Sequence, residues 1–196
     1  MGKRLMITGF DPFGKDSINP SWEAVSRLED RIGDYELMKL LVPTVFGEAA
    51  GQALEAAEKF QPDVILCIGQ AGGRPSVTPE MVAINLRYAP MGDNAGNKPQ
   101  DEPVVPGGDT AYFASVPVRK MVEALKDNGI SGAISYSAGA YVCNDLFYTL
   151  RNHYEGTHTQ VGFIHVPYLP EQVTGQTPSM PLGTIVRALS VMIEAI

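Results

Sequence analysis

Sulfhydryls, histidines and basic charge are all scarce in this chain, and each shortage closes off a class of function. Two cysteines, Cys67 and Cys143, with no export signal ahead of them, make a disulfide framework untenable and point to reduced thiols in a cytoplasm. Fifteen Lys and Arg stand against twenty-two Asp and Glu, a net charge of −7, and no stretch gathers the basic residues into a phosphate-binding face. Nucleic acid is therefore not an expected partner. Long apolar runs are missing too. The N-terminal stretch "MGKRLMITGFDPFG" is broken at once by Gly9, Asp11 and Pro12, too early for a signal peptide or membrane span. Met6 stands where a myristoylation signal needs Ser or Thr. No internal repeat is present. What remains is a chain of 196 residues, 44% hydrophobic, enough to bury one core, and it reads as a single domain over residues 1–196.

Apolar runs alternate with helical periodicities. Strands are expected at 4–10, 36–43, 63–70, 81–88, 132–138 and 160–167, several of them apolar on both faces as buried parallel strands are. Helices are expected at 20–31, with Asn19 as cap and Pro20 opening it, and at 46–60, 117–128, 143–153 and 181–196. Helices falling between strands predict an α/β fold, a three-layer α/β/α sandwich around a mainly parallel or mixed twisted sheet. Residues 89–116, rich in Gly, Pro, Asn and Asp, read as one long loop. In open sheets of this kind ligands bind beyond the carboxyl ends of the strands. "GFDPFG", "GQAGGR", Cys143 and His165 all fall at such ends, on one edge of the sheet.

Cys143, in "YSAGAYVCND", sits at the expected start of a helix, where free N–H groups and the dipole stabilise a thiolate, with Asp145 opposing them. Its position alone favours an inert packed thiol over a nucleophile. Cys67, inside "VILCIG", is a core residue. Of the three histidines, His153 and His158 suit a solvated surface, whereas His165 interrupts the apolar run "VGFIHVPY" and needs a buried partner. Glu80, at the start of an apolar run, is the notable carboxylate, although a strand-end glutamate is ordinarily solvated. Together Cys143, His165 and Glu80 make a plausible nucleophile, base and orienting group. Phe10 and Phe13 flank a proline turn and can line a small apolar pocket, with Asn19 as a polar handle. "GQAGGR" lacks both the Walker spacing and a following helix, which leaves a nucleotide-binding reading weak.

The ordered motifs "TGFDPFG", "NPSWEAV", "VPTVFGEA", "GQAGGRPSVTPEMVAIN", "SYSAGAYVCND" and "GFIHVPYLPEQ" span essentially the whole chain. In them the sequence resembles the pyrrolidone carboxyl peptidases, or pyroglutamyl peptidases I, cytosolic cysteine peptidases that remove an N-terminal pyroglutamate. The resemblance implies Cys143 as nucleophile, His165 as general acid and base, and Glu80 as the orienting carboxylate. It implies that Phe10 and Phe13 hold the lactam ring with help from Tyr141, Val142 and Met91. Asn19 would brace the loop carrying Gln70, whose carbonyl would receive the ring N–H. Neither metal nor organic cofactor is called for, and a homodimer or homotetramer is expected. Two departures stand out: Met81 where the family usually has a basic residue, and Pro90 where it usually has an arginine near the scissile carbonyl. Arg87 is a candidate substitute. The expected activity is removal of pyroglutamate through a thioester. The alternatives are a catalytically weakened pyroglutamyl-binding homologue and, on fold analogy alone, a phosphorylase-like nucleoside enzyme.

Overall fold

A computed structural model describes residues 2–196. Eight strands form in chain order: β1 (Lys3–Phe10), β2 (Arg31–Ile32), β3 (Tyr35–Val42), β4 (Val64–Gln70), β5 (Thr78–Pro79), β6 (Val82–Ile84), β7 (Ala111–Phe113) and β8 (Gln160–Val166). Five α-helices accompany them: α1 (Pro20–Val25), α2 (Glu48–Phe60), α3 (Val118–Asp127), α4 (Val142–His153) and α5 (Leu182–Glu194). Six strands make one sheet in the order β2-β3-β1-β4-β8-β5, parallel through its four central members and antiparallel at both edges. The mainly parallel, mixed sheet predicted from the alternation of elements is thus present.

Because side chains alternate across a strand, each central strand serves two cores. Leu5 and Ile7 of β1, Leu66 and Ile68 of β4, and Ile164 and Val166 of β8 pack with α1, α3 and α5. Met6 and Phe10, Ile65 and Cys67, and Val161 and Phe163 pack with α2 and α4 on the opposite face. This alternation decides where the chemistry lies. His165, two residues beyond Phe163, is carried to the face covered by α4, the helix that begins beside Cys143.

Four expectations about local structure are corrected. Helix α1 ends at Val25 rather than 31, because Gly33, with φ of 55°, and Asp34 turn the chain into a β2–β3 hairpin. The run 81–88 contributes only β6, which pairs with β7 away from the main sheet, and β7 gives the supposed loop 89–116 a strand of its own. Residues 132–138 form no regular strand. The segment does run along β5, with Val77 N–H donating to Ser131 O, Ala133 N–H to Val77 O and Ser135 N–H to Pro79 O. Pro79 has no N–H to return, so the ladder is reduced to bridges at Gly132 and Ser135.

The approach of α1 to β1 depends on Gly9. A Cβ there would lie 2.8 Å from both the N and Cα of Trp22, atoms of the helix backbone that cannot rotate aside. Gly9→Ala is therefore expected to cost about 1–3 kcal/mol through overpacking, read as a lower urea midpoint with an unchanged slope.

Candidate active site

The site is assembled from three strand ends and one helix start. Gln70 closes β4, His165 is the penultimate residue of β8, and residues 11–18 leave the end of β1. Cys143 occupies the second position of α4, after the N-cap Tyr141, whose side chain makes no capping bond. The helix is fixed by Asn144, which donates to the carbonyls of Ile84 and Leu86 and accepts from the Ile84 N–H at 3.0 Å.

The parallel register of β4 on β8 sets Gly69 beside His165. A Cβ on Gly69 would stand 2.9 Å from Cys143 Sγ and 2.8 Å from the Phe163 ring, so the missing side chain makes the space in which the sulfur sits. Partners in parallel register point to the same sheet face, and the imidazole and the thiol therefore share it. The imidazole Nδ1 meets Glu80 Oε1 at 2.6 Å. Glu80 has no exposed surface, contrary to the solvated strand end that spacing favours. Its position is held by its N–H, which donates to Phe163 O at 2.8 Å. Arg74 supplies the countercharge, with Nη1 2.8 Å from the same Oε1.

Electrostatics follow from this burial. Desolvation would raise the pKa of Glu80, but the hydrogen bond and charge of His165, with help from Ser135 and Arg74, outweigh it and hold the carboxyl below its ordinary value. Desolvation lowers that of His165, against the opposing pull of Glu80. Cys143 reaches the cavity surface and is half-buried, yet it lies deep enough in the molecule that burial, reinforced by the Glu80 charge, pushes its thiol up to about 12. The lowered thiol pKa expected from the helix start is thus reversed in the resting protein. These directions favour the neutral thiol, the neutral imidazole and the ionised carboxylate. Asp145, the acid of the first turn, is neutralised by Arg87, whose Nε lies 2.5 Å from its Oδ1. That pairing engages Nε of Arg87, the candidate substitute for the arginine replaced by Pro90.

Cys143 forms part of the wall of a cavity of about 780 Å³, together with Phe10, Phe13, Asn19, Gln70, Met91 and Tyr141. Phe13 and Tyr141 pack as tilted rings 5.3 Å between centroids, and the Tyr141 hydroxyl donates to Gly92 O at 3.1 Å, tying the loop that presents Met91. Val142 is placed elsewhere: its side chain is fully buried in the core. Asn19 caps α1, accepting from the N–H and hydroxyl of Ser21 and donating to Asp11 O, so it braces the turn after β1 rather than the Gln70 loop. Gln70 is steadied instead by Gln172, whose Nε2 donates to its Oε1 at 3.0 Å. Tyr168, also on the wall, and Arg74 were not singled out from sequence. Both sit inside the quoted motifs "GFIHVPYLPEQ" and "GQAGGRPSVTPEMVAIN", the available signal. The loop "GQAGGR" runs into β5 rather than into a helix, which leaves the nucleoside reading without its phosphate cradle.

Comparison with known proteins agrees with this geometry. Residues 3–196 match the family model described as pyroglutamyl peptidase. The chain is 48% identical over 195 residues to the pyrrolidone-carboxylate peptidase of Bacillus subtilis (strain 168), covering 97% of this chain and 91% of the relative. Pyroglutamyl peptidase I of Bacillus amyloliquefaciens superposes with a TM-score of 0.95 at 45% identity, over 98% of this chain and 96% of that one. The pyrrolidone carboxyl peptidase of Thermococcus litoralis, at 33% identity, still superposes with a TM-score of 0.94, over 98% and 92% of the two chains. Full-length agreement of sequence and fold, around a thiol set beside an imidazole–carboxylate pair, makes this chain a member of the pyroglutamyl peptidase family.

Proposed function

We propose that this protein is a cysteine exopeptidase that removes N-terminal pyroglutamate from peptides through Cys143, His165 and Glu80. The observation that carries the reading is the position of a half-buried thiol in the wall of an aromatic-lined cavity, on the same sheet face as an imidazole bonded to a buried carboxylate. Cys143 Sγ attacks the pyroglutamyl carbonyl as its proton passes to His165 Nε2. Nδ1 stays hydrogen-bonded to Glu80, which fixes the tautomer and supports the imidazolium formed. Backbone N–H groups at the start of α4 face the developing oxyanion, a type of contact worth about 3–4 kcal/mol elsewhere. His165 then gives its proton to the departing amine, leaving a thioester, and deprotonates the water that hydrolyses it. The unpaired thiols support a reducing, cytoplasmic setting. Exposed Tyr88, Phe113 and Tyr136 support the homodimer or homotetramer that the resemblance implies.

Cys143→Ala and Cys143→Ser are expected to abolish cleavage of a pyroglutamyl fluorogenic amide while leaving the fold intact. Cys67→Ser, in the interior of β4, should cost about 1 kcal/mol of stability by burying a hydroxyl, with activity retained. Full activity in Cys143→Ala would remove the covalent mechanism. An active-site thiol with no turnover on this substrate would instead indicate the weakened homologue that Pro90 suggests.

The pKa directions fix the pH behaviour. Catalysis needs His165 unprotonated to accept the thiol proton. Since burial lowers its pKa from 6.5, the acid limb of kcat/KM belongs below pH 6.5. Because the Cys143 thiol is pushed up to about 12, iodoacetamide labelling of the free protein should keep climbing above the ordinary cysteine value of about 8.5. A labelling rate already level at neutral pH would reveal a resting thiolate–imidazolium pair instead.

Replacing pyroglutamyl by prolyl in the substrate exchanges a ring carbonyl for CH₂ and makes the nitrogen a charged amine. An unmatched buried polar group costs about 1–3 kcal/mol, and more with charge, so discrimination in kcat/KM of at least about tenfold is expected. Equal cleavage of the two amides would mean that the lactam pocket is misassigned even with the triad intact.

A further inference from the structure

Arg74 lies outside the substrate cavity, yet it touches two of the three segments that supply the proposed catalytic groups, those carrying Glu80 and Cys143. It belongs to the loop leaving β4, the strand whose Gly69 makes room for Cys143 Sγ. Its Nη1 donates to Glu80 Oε1 at 2.8 Å and to Thr78 Oγ1 at 2.7 Å, on β5. Its Nη2 donates to Ser137 O at 3.2 Å, in the irregular segment that leads into α4 and Cys143. The guanidinium is about one-third exposed, whereas the carboxylate it meets has no exposure at all. It therefore reaches inward from a shallow surface cavity formed by Thr78, Ile134, Ser135, Tyr136 and Ser137.

The geometry matters because Arg74 and His165 share one oxygen. Glu80 Oε1 accepts from both, while Oε2 is buried with no partner. A carboxylate held through a single oxygen can swing about its terminal torsion, which is broad and roughly two-fold. Two donors from different directions on that oxygen pin it. The bridge to Ser137 matters for a second reason. Pro79 interrupts the ladder between β5 and residues 131–135, and Arg74 joins these two segments just beyond the interruption.

We propose that Arg74 is a positioning residue for the reaction, clamping the Glu80 carboxylate against His165 and tying the segment that carries Cys143 to the same anchor. It acts through Glu80 and touches neither substrate nor reacting atoms. This inference rests on the pyroglutamyl peptidase reading for its kinetic arm alone. The charged and titratable groups bearing on the cluster are Cys67 from β4, Cys143 from α4, Glu80 beside β5, His165 from β8 and Arg74 itself. Arg74 is the positive charge among them, and it disfavours imidazolium on His165, so its removal shifts the histidine's titration upward.

The test compares the unmodified protein with Arg74→Gln and Arg74→Lys. For Arg74→Gln, kcat on a pyroglutamyl amide should fall about tenfold, equivalent to about 1.4 kcal/mol, with KM unchanged within about twofold. The acid limb of the pH profile should move to higher pH. Arg74→Lys, which keeps the charge but cannot span Thr78, Glu80 and Ser137 with a planar fork, should restore the pH limb and only part of kcat. The histidine titration is followed independently by NMR of the His165 ring proton, assigned with His165→Ala, and needs no substrate. If the protein cleaves no pyroglutamyl amide but His165 still titrates higher in Arg74→Gln, the clamp stands and the substrate reading falls. A folded Arg74→Gln protein with unmoved His165 titration would overturn the clamp, as would a loss expressed in KM alone. Should Arg74→Gln not fold, Arg74→Lys carries the test: full kcat would overturn the proposal, and partial kcat with an unmoved pH limb would support it.

Discussion

A carboxylate without exposed surface is bound 2.6 Å from an imidazole that is itself almost wholly buried, and much of the local architecture exists to make that pair tolerable. Desolvating an unpaired carboxylate costs several kcal/mol, so Glu80 needs donors already in place. His165 and Arg74 provide them, and each is set by a different part of the sheet. The register of β5 on β8 pairs Thr78 with His165 and Pro79 with Ile164, which delivers the next residue, Glu80, to the ring. A slip of one residue would turn the carboxylate to the other face.

The same register logic reaches the sulfur. Gly69 is paired with His165 across β4 and β8, and its lack of a side chain is what lets Cys143 descend onto the sheet. Depth has an electrostatic consequence opposite to that of the helix start. Unpaired N–H groups and the dipole favour thiolate within the first turn, by roughly 0.3–1 kcal/mol when exposed. Burial beside a carboxylate favours the thiol, and it wins. Under the proposed mechanism, such a site makes its nucleophile during the attack, when His165 would take the proton, rather than storing it.

Much of this was legible in the chain and some was not. The alternation of β1, β4 and β8 was readable because buried parallel strands are apolar on both faces, and the exception, His165, announced itself by interrupting such a run. Glu80 was visible as a carboxylate but not as a buried one, since its burial depends on β5 lying against β8, a pairing of distant segments. Residues 132–138 have the composition of a strand, and what breaks their ladder is a proline in the neighbouring segment rather than anything in their own sequence. Helix α1 stops short of the expected 31 because the chain turns at Gly33 and Asp34 into a hairpin, and the β2–β3 pairing that defines it joins residues too few to show a strand period. Nothing in "GQAGGR" marks Arg74 as a partner of Glu80, because the two meet only where the chain turns from β4 into β5, six residues on.

The cavity also contains acids, and how they are engaged bears on which N-terminus it can accept. Asp93 and Asp16 both line it, and an unoccupied carboxylate there would welcome an α-ammonium group. Asp93 is engaged by its own loop and by the segment before α2: its oxygens accept from the N–H groups of Phe46, Ala95 and Asn97 and from the Asn97 side chain, which holds the carboxyl below its ordinary range despite desolvation. Asp16 Oδ2 faces the Nε2 groups of Gln70 and Gln172 at 3.4 and 3.3 Å. Asp93 is therefore not left as a ready counterion, Asp16 Oδ2 already faces two amide groups, and Phe10, Phe13 and Tyr141 supply apolar wall. A charged amine entering this space would lose its hydration with little to replace it, whereas a lactam brings no charge and a flat ring to lay against aromatic faces. On the proposed reading, preference for an uncharged terminus follows from this apolar wall and from the hydrogen bonding of Asp93, which composition alone does not reveal.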